Sequence, residues 1–107
     1  HTVLSLVATA SRADVSQLLT TTAATPFPVE RIVKALPLPP VAHHAGATLL
    51  APRHAAATAM FDSLGSAHAG DEAMLASAGA LSSIMGAFYA TLRAQREWLV
   101  AREGDRA

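Results

Sequence analysis

The stretch D71-EAMLASAGALSSIMGAFYATLRAQREWLVARE-G104 decides how this chain is read. Read as one helix at 1.5 Å per residue it is about 50 Å long, well beyond the usual helix of a globular domain. Asp71 and Glu72 place negative charge at its N-terminus, Arg93, Arg96 and Arg102 gather toward its C-terminus, and Gly104 supplies a stop. No ionised side chain occurs between Ala73 and Leu92. Met74, Leu75, Ala78, Leu81, Met85, Phe88, Leu92 and Leu99 recur at three- and four-residue steps as one apolar stripe. The other faces carry mainly Ala, Ser, Gly and Thr. Such a helix is expected to be enclosed.

A charge-free run of this length also meets the minimum for a membrane span. Its strong insertion drivers, Leu75, Leu81, Ile84, Phe88 and Leu92, are diluted by serines, glycines and alanines, so the expected enclosure is by other helices, without a membrane. Gly79 and Gly86, two turns apart, would allow close backbone approach. The residues before Asp71 need their own surfaces covered. The partner is therefore expected in a second chain, as a homodimer through the 71–103 helix, or in residues outside this sequence.

The whole sequence has 107 residues, enough for one ordinary domain. Eight basic residues balance eight acidic ones, which gives no electrostatic case for nucleic acid or an anionic membrane surface. With no cysteine, disulfides, thiolate catalysis and cysteine zinc sites are excluded, in keeping with a cytoplasmic location. The chain starts at His1 without an initiator Met or a basic-then-apolar leader, and is expected to be a piece of a longer protein.

Thr2 to Ala8 is a nearly continuous apolar run, as in a strand covered on both faces. Ser11 opens a helix, because S-R-A-D has capping-box spacing, and Val15, Leu18 and Leu19 follow on one side. The Thr20 to Thr25 cluster is expected to fray it, and Pro26 and Pro28 to end it. Glu30 to Leu36 reads as a second strand buried through Ile32, Val33 and Leu36. Pro37 to Pro40 makes a stiff loop, expected neither to pair in a ladder nor to turn helical. Ala47 to Ala51 is a third strand. Pro52 suits a first helical position, with Ala56, Ala59, Met60 and Leu64 inward until Gly65. Ser66 to Ala69 is a last, short edge strand. This β-α-β-β-α-β order followed by a helix predicts an α/β fold. No G-x-G-x-x-G occurs, so a doubly wound dinucleotide-binding sheet would lack its first half here.

S-L-V-A (Ser5 to Ala8) before a capped helix is followed by R-I-V-K-A-L-P-L-P-P-V (Arg31 to Val41) and a Gly-initiated strand at Gly46. A-M-F-D-S-L-G (Ala59 to Gly65) and then Asp71 and Glu72 opening a long helix complete the series. Together these resemble the middle of a pyrroline-5-carboxylate reductase, over nearly the whole chain and in consistent order. The resemblance implies the second half of a Rossmann-like, doubly wound NAD(P)-binding domain over residues 1–69. Over residues 70–107 it implies the first long helix of an all-α dimerisation domain.

It further implies NADP or NAD as cofactor, hydride transfer to a C=N or C=O carbon of a small-molecule substrate, a role of proline-biosynthesis type, and a dimer mate around the long helix. The isolated piece is expected to be inactive. Several positions depart from the family. Lys34 to Pro40 stands where the family reads Arg-x-Met-Pro-Asn-Thr-Pro, so Leu38 replaces an amide that can hydrogen-bond near the cofactor. The signature Ser-Gly-Ser/Thr-Gly-Pro-Ala-Tyr falls on Ser82 to Phe88, with Ile84 at the second hydroxyl, and Thr9 replaces a glycine. These changes point to a diverged reductase for another imine or carbonyl compound.

In open α/β sheets ligands bind at the carboxyl ends of strands, which makes Val7, Ala8, Thr9, Leu36, Pro37 and Leu38 the candidate cofactor contacts. Ser82 and Ser83 are the candidate substrate contacts, although mid-helix serines commonly bond back to the preceding turn. No acid or base is singled out as catalytic. His43 and His44 are adjacent and point apart, and with His54 and His68 they offer no ligand spacing, so no metal is expected. Trp98 and Tyr89 read as core or interface aromatics, and P-L-P-P as a rigid turn. The competing expectation is a non-enzymatic small α/β module that pairs with itself through its long helix.

Overall fold

The computed structural model describes residues 1–104, so the end of the expected 70–107 segment lies outside the described residues. The chain is α/β, with strands β1 (Val3–Ser5), β2 (Ile32–Pro37), β3 (Ala47–Ala51) and β4 (Ser66–Ala69). Its helices are α1 (Arg12–Ala23), α2 (Ala55–Asp62) and α3 (Glu72–Gly104). It divides into two compact units, 1–76 and 77–107. The first holds the sheet, α1, α2 and the opening turn of α3. The second is the remainder of α3.

The four strands lie in chain order in one sheet. β1 and β2 are parallel, with Val3 opposite Ile32 and Ser5 opposite Lys34. β2 and β3 are antiparallel, with Ala35 opposite Leu50, and β3 and β4 are parallel again, with Leu50 opposite Ala69. The sheet is therefore mixed. The reversal falls where the chain links two strands without a helix, and so short a link reaches only an antiparallel neighbour. Each parallel pair is joined through a helix. With both crossovers of the usual right hand and advancing the same way across strands of opposite direction, α1 and α2 are expected on opposite faces. Ile32 and Val33, adjacent and so facing opposite ways, are 0% and 1% exposed, as a sheet covered on both sides requires.

The core cluster is Val33, Ala35 and Leu50 of the sheet against Ala57 and Phe61 of α2, with Leu4, Leu64, Ala67 and Ala69 packed around it. The inner face of α2 is thus Ala57 and Phe61, with Leu64 packed alongside beyond the helix end. Ala56, Ala59 and Met60 are exposed, contrary to the expected face, because the stripe that meets the sheet is the one through Ala57 and Phe61, one turn apart. Pro52 follows a cis peptide bond in the preceding bend, and His54, in extended backbone, is the N-cap whose Nδ1 accepts from the Ala57 amide at 3.3 Å. β3 and β4 keep their expected bounds, and β4 is an edge.

β1 is shorter than the expected Thr2 to Ala8, because Leu6 onward turns away from the ladder and is exposed. In β2 the third buried residue is Ala35, while Leu36 is only half-buried. The proline stretch also departs from expectation. Pro37 pairs with Thr48 at the end of β2, and Pro39–His43 forms a short 3₁₀ helix. Proline's fixed φ suits that first turn, where no amide donor is needed.

The Ser11 capping box forms as the sequence predicts: the Ser11 hydroxyl accepts from the Asp14 amide at 3.1 Å, and the Asp14 carboxylate accepts from the Ser11 amide at 2.8 Å. Helix α1 does not fray at its threonines. Thr21 and Thr22 donate to the carbonyls of Gln17 and Leu18, and the helix stops at Ala24, which is left-handed with φ 52°. Val15 and Leu19 are half-buried and lie one turn apart, whereas Leu18 sits a step round the helix and is exposed.

Helix α3 runs unbroken with Asp71 accepting from the Met74 amide at 2.7 Å. Leu75 is its one buried residue. From Leu81 to Gly104 every described side chain is exposed. The single chain leaves the apolar stripe uncovered.

Candidate functional site

β1 and β2 run the same way, so their carboxyl ends emerge together on one edge of the sheet, beside the start of β3. The chain leaving β1 passes through Val7, Ala8 and Thr9, all exposed, before the cap at Ser11. The chain leaving β2 passes through Leu36, Pro37 and Leu38, all half-buried. Leu36 and Pro37 are still strand residues, paired with Leu49 and Thr48. The amide of Leu38 donates to the Ala47 carbonyl at 3.1 Å, which holds the exit close to β3. Both triplets thus belong to one strand-end edge. Their side chains are apolar apart from Thr9, and what they offer a polar ligand is backbone.

Three charged groups, Lys34, Asp14 and Glu72, shape this edge. Lys34, the partner of Ser5 in the ladder, extends its Nζ to donate to the Ala8 carbonyl at 2.9 Å. Two amides at the N-terminus of α1 are already held by carboxylates. Asp14 accepts from the Ser11 hydroxyl at 2.7 Å as well as from its amide, and Glu72, from the first turn of α3, accepts from the Arg12 amide at 2.9 Å. The Ser11 hydroxyl, the Ser11 amide and, more weakly, the nearby Lys34 charge hold the Asp14 carboxyl below its ordinary value. A helix N-terminus is a ready anion site only while its amides are free. Here a phosphate would have to displace two carboxylates of the chain itself. The edge suits an uncharged ring or a backbone-bonding group and is unsuited to a pyrophosphate.

Arg12 ties the same region to β2 from below. Its Nε donates to the Ile32 carbonyl at 2.8 Å, and a terminal nitrogen donates to the Val29 carbonyl at 2.7 Å. Arg12, Lys34 and Glu72 carry most of the polar organisation here, and of these the sequence singles out only Glu72, as a helix-start charge. Their signals were present but ambiguous: a lysine amid apolar strand residues, an arginine directly after a helix cap, and a glutamate at a helix start.

Ser82 and Ser83 belong to the second unit. Their hydroxyls donate to the carbonyls of Gly79 at 2.9 Å and Ala80 at 2.7 Å, the backward bonding typical of helical serines. Around them the apolar residues of α3 lie open, with Leu81 69% and Phe88 53% exposed. Gly79 and Gly86 have open space on their Cβ side. Toward the C-terminus the charges pair within the helix: Arg93 with Glu97 at 2.8 Å, and Arg102 over the Trp98 ring at 5.1 Å. By length and composition α3 is also able to cross a membrane, and 6% of its most apolar stretch is buried within the chain.

Among the described residues no group of three or more His, Asp or Glu is placed to hold a metal ion. The His68 ring lies 3.1 Å from the Ser66 hydroxyl on the exposed edge strand. That hydroxyl is also 3.3 Å from the Gly46 carbonyl, to which it donates, so it is not arranged as a nucleophile. Compared with protein-family models, curated proteins and solved structures, the chain matches none.

Proposed function

We propose that this chain is part of an NAD(P)H-dependent reductase that resembles the pyrroline-5-carboxylate reductases and reduces a C=N or C=O bond of a small molecule. The observation that carries the reading is the shared carboxyl-terminal edge of β1 and β2, in a chain whose element order agrees with the order the resemblance implies. Val7, Ala8, Thr9, Leu36, Pro37 and Leu38 would contact the nicotinamide end of NADPH or NADH. The pyrophosphate would be held by sequence other than the α1 N-terminus, where carboxylates of the chain hold the Ser11 and Arg12 amides.

The cofactor supplies hydride. This chain's own residues would offer an edge of mostly apolar side chains on which a flat group could stack. The carbon that receives hydride leaves its nitrogen or oxygen to take a proton, and of the six contact residues only Thr9 carries an exchangeable side-chain proton. The α3 stripe would pair with that of a second copy, making the active protein a dimer in the cytoplasm, with Ser82 and Ser83 near the substrate. For that role their hydroxyls would have to leave the Gly79 and Ala80 carbonyls.

Calorimetric titration of the intact protein with NADPH and NADH tests the reading. Binding of either supports it, and binding of neither removes it. The exposed apolar face of α3 equally favours a second reading, a non-enzymatic module that dimerises through this helix. A dimer by light scattering that binds neither nucleotide is the result that reading requires.

A further inference from the structure

We infer that Lys34 is a positioning residue that pins the loop between β1 and α1, fixing the backbone of Val7 to Thr9 for the ligand at that edge. The loop leaves the ladder after Ser5 and regains regular structure at Ser11. Its two ends are fixed independently. At the near end the Val7 amide lies 3.4 Å from the Ser5 hydroxyl, and at the far end stand the Ser11 capping box and the Glu72 carboxylate on the Arg12 amide.

Between these anchors the residues from Leu6 to Thr9 are exposed, and no apolar packing orders them. The Lys34 ammonium reaches the middle of this span from the neighbouring strand and donates to the Ala8 carbonyl at 2.9 Å. Lys34 is itself seated by the ladder, opposite Ser5 on one side and opposite Ala51 on the other, so its stem starts from a rigid position. A charge-assisted bond to a carbonyl is stronger than a neutral one and orients the peptide that carries it. That peptide joins Ala8 to Thr9, two of the residues assigned to the ligand. The ligand role of this pin rests on the reductase reading, while the pin itself does not.

Lys34→Met keeps the aliphatic stem and removes the donor, and Lys34→Arg restores a cationic donor. In the intact protein, backbone ¹⁵N order parameters at Ala8 to Ala10 should fall in the Met variant from about 0.85 to below about 0.6. Nicotinamide dinucleotide affinity should weaken about tenfold, as expected for a lost bond to a charged group, with little change in Tm. The Arg variant should recover both. Unchanged order parameters in a folded Lys34→Met overturn the pin, and a loosened loop with unchanged affinity overturns its role toward the ligand. If Lys34→Met does not fold, Lys34→Ala, which likewise carries no donor, serves the same comparison. A wild-type protein that binds no dinucleotide defeats the reductase reading, and the order parameters then decide the pin on their own.

Discussion

Residues 1–76 and the helix beyond them solve the problem of burying apolar surface in opposite ways. In the first unit Phe61 is 5% exposed, seated between α2 and a sheet covered on both faces. In the second, Phe88 is 53% exposed although it stands in a run with no ionised side chain between Ala73 and Leu92. The difference teaches that apolar content alone does not make a core. A core needs a second layer, and four short strands with two crossing helices provide one, whereas a lone helix has only its own curved surface. The large apolar residues of α3 from Leu81 on are thus left exposed by this chain, and the proposed partner is another α3.

The largest expected effect comes from truncating one phenylalanine in each unit. Phe61→Ala should destabilise the fold by about 3–5 kcal/mol, and Phe88→Ala should cost the single chain under about 0.5 kcal/mol. Denaturant melts of both variants measure this. Light scattering should show the Phe88 variant shifted toward monomer, and equal melting losses from the two would erase the contrast between the units.

Glycines make the same contrast on a smaller scale. Gly65 has φ +150°, and a Cβ there would lie 2.5 Å from the Gly46 carbonyl oxygen, so Gly65→Ala should cost about 1–3 kcal/mol in a thermal melt. Gly79 and Gly86 have open space on their Cβ side, so alanine at either should raise the helicity of the single chain, by about 1 kcal/mol in propensity. If a second chain approaches there, the same substitutions should weaken the dimer. Sedimentation that tightens on Gly86→Ala would exclude a close glycine-faced pairing.

Two weaker effects concern charge. The Asp14 carboxyl is held below its ordinary value of 3.8 in the folded chain. Its contribution is therefore present above the unfolded value and is lost as pH falls through the lower folded one. The wild type should lose stability over that acidic window relative to Asp14→Asn, in pH-dependent melts of both. The exposed Arg93–Glu97 pair should matter least: Glu97→Gln is expected to change helix content by no more than about 0.5 kcal/mol, read by circular dichroism at low and high salt.

Features fixed by neighbours in the chain were legible. The capping box at Ser11, the bounds of Ala47–Ala51 and Ser66–Ala69, and the opening of the long helix at Asp71 all rest on residues within one turn or one alternation. The start of α2 was misread because proline at a helix start and proline in a bend look alike until the His54 cap is seen. The strand-end triplets were reachable from the order of elements. Lys34 on the Ala8 carbonyl and Glu72 on the Arg12 amide were not, since they span 26 and 60 residues and no local pattern encodes such a meeting.

By itself the sequence determined the alternation of strands and helices, the charge-free length of α3 and the caps that begin α1 and α3, because propensity, periodicity and capping act over a few residues. Only the tertiary structure decided the mixed direction of the sheet, the face that α2 buries and the closing of the α1 N-terminus by two carboxylates. Those depend on which distant segments share a surface, and that follows from packing the whole chain at once.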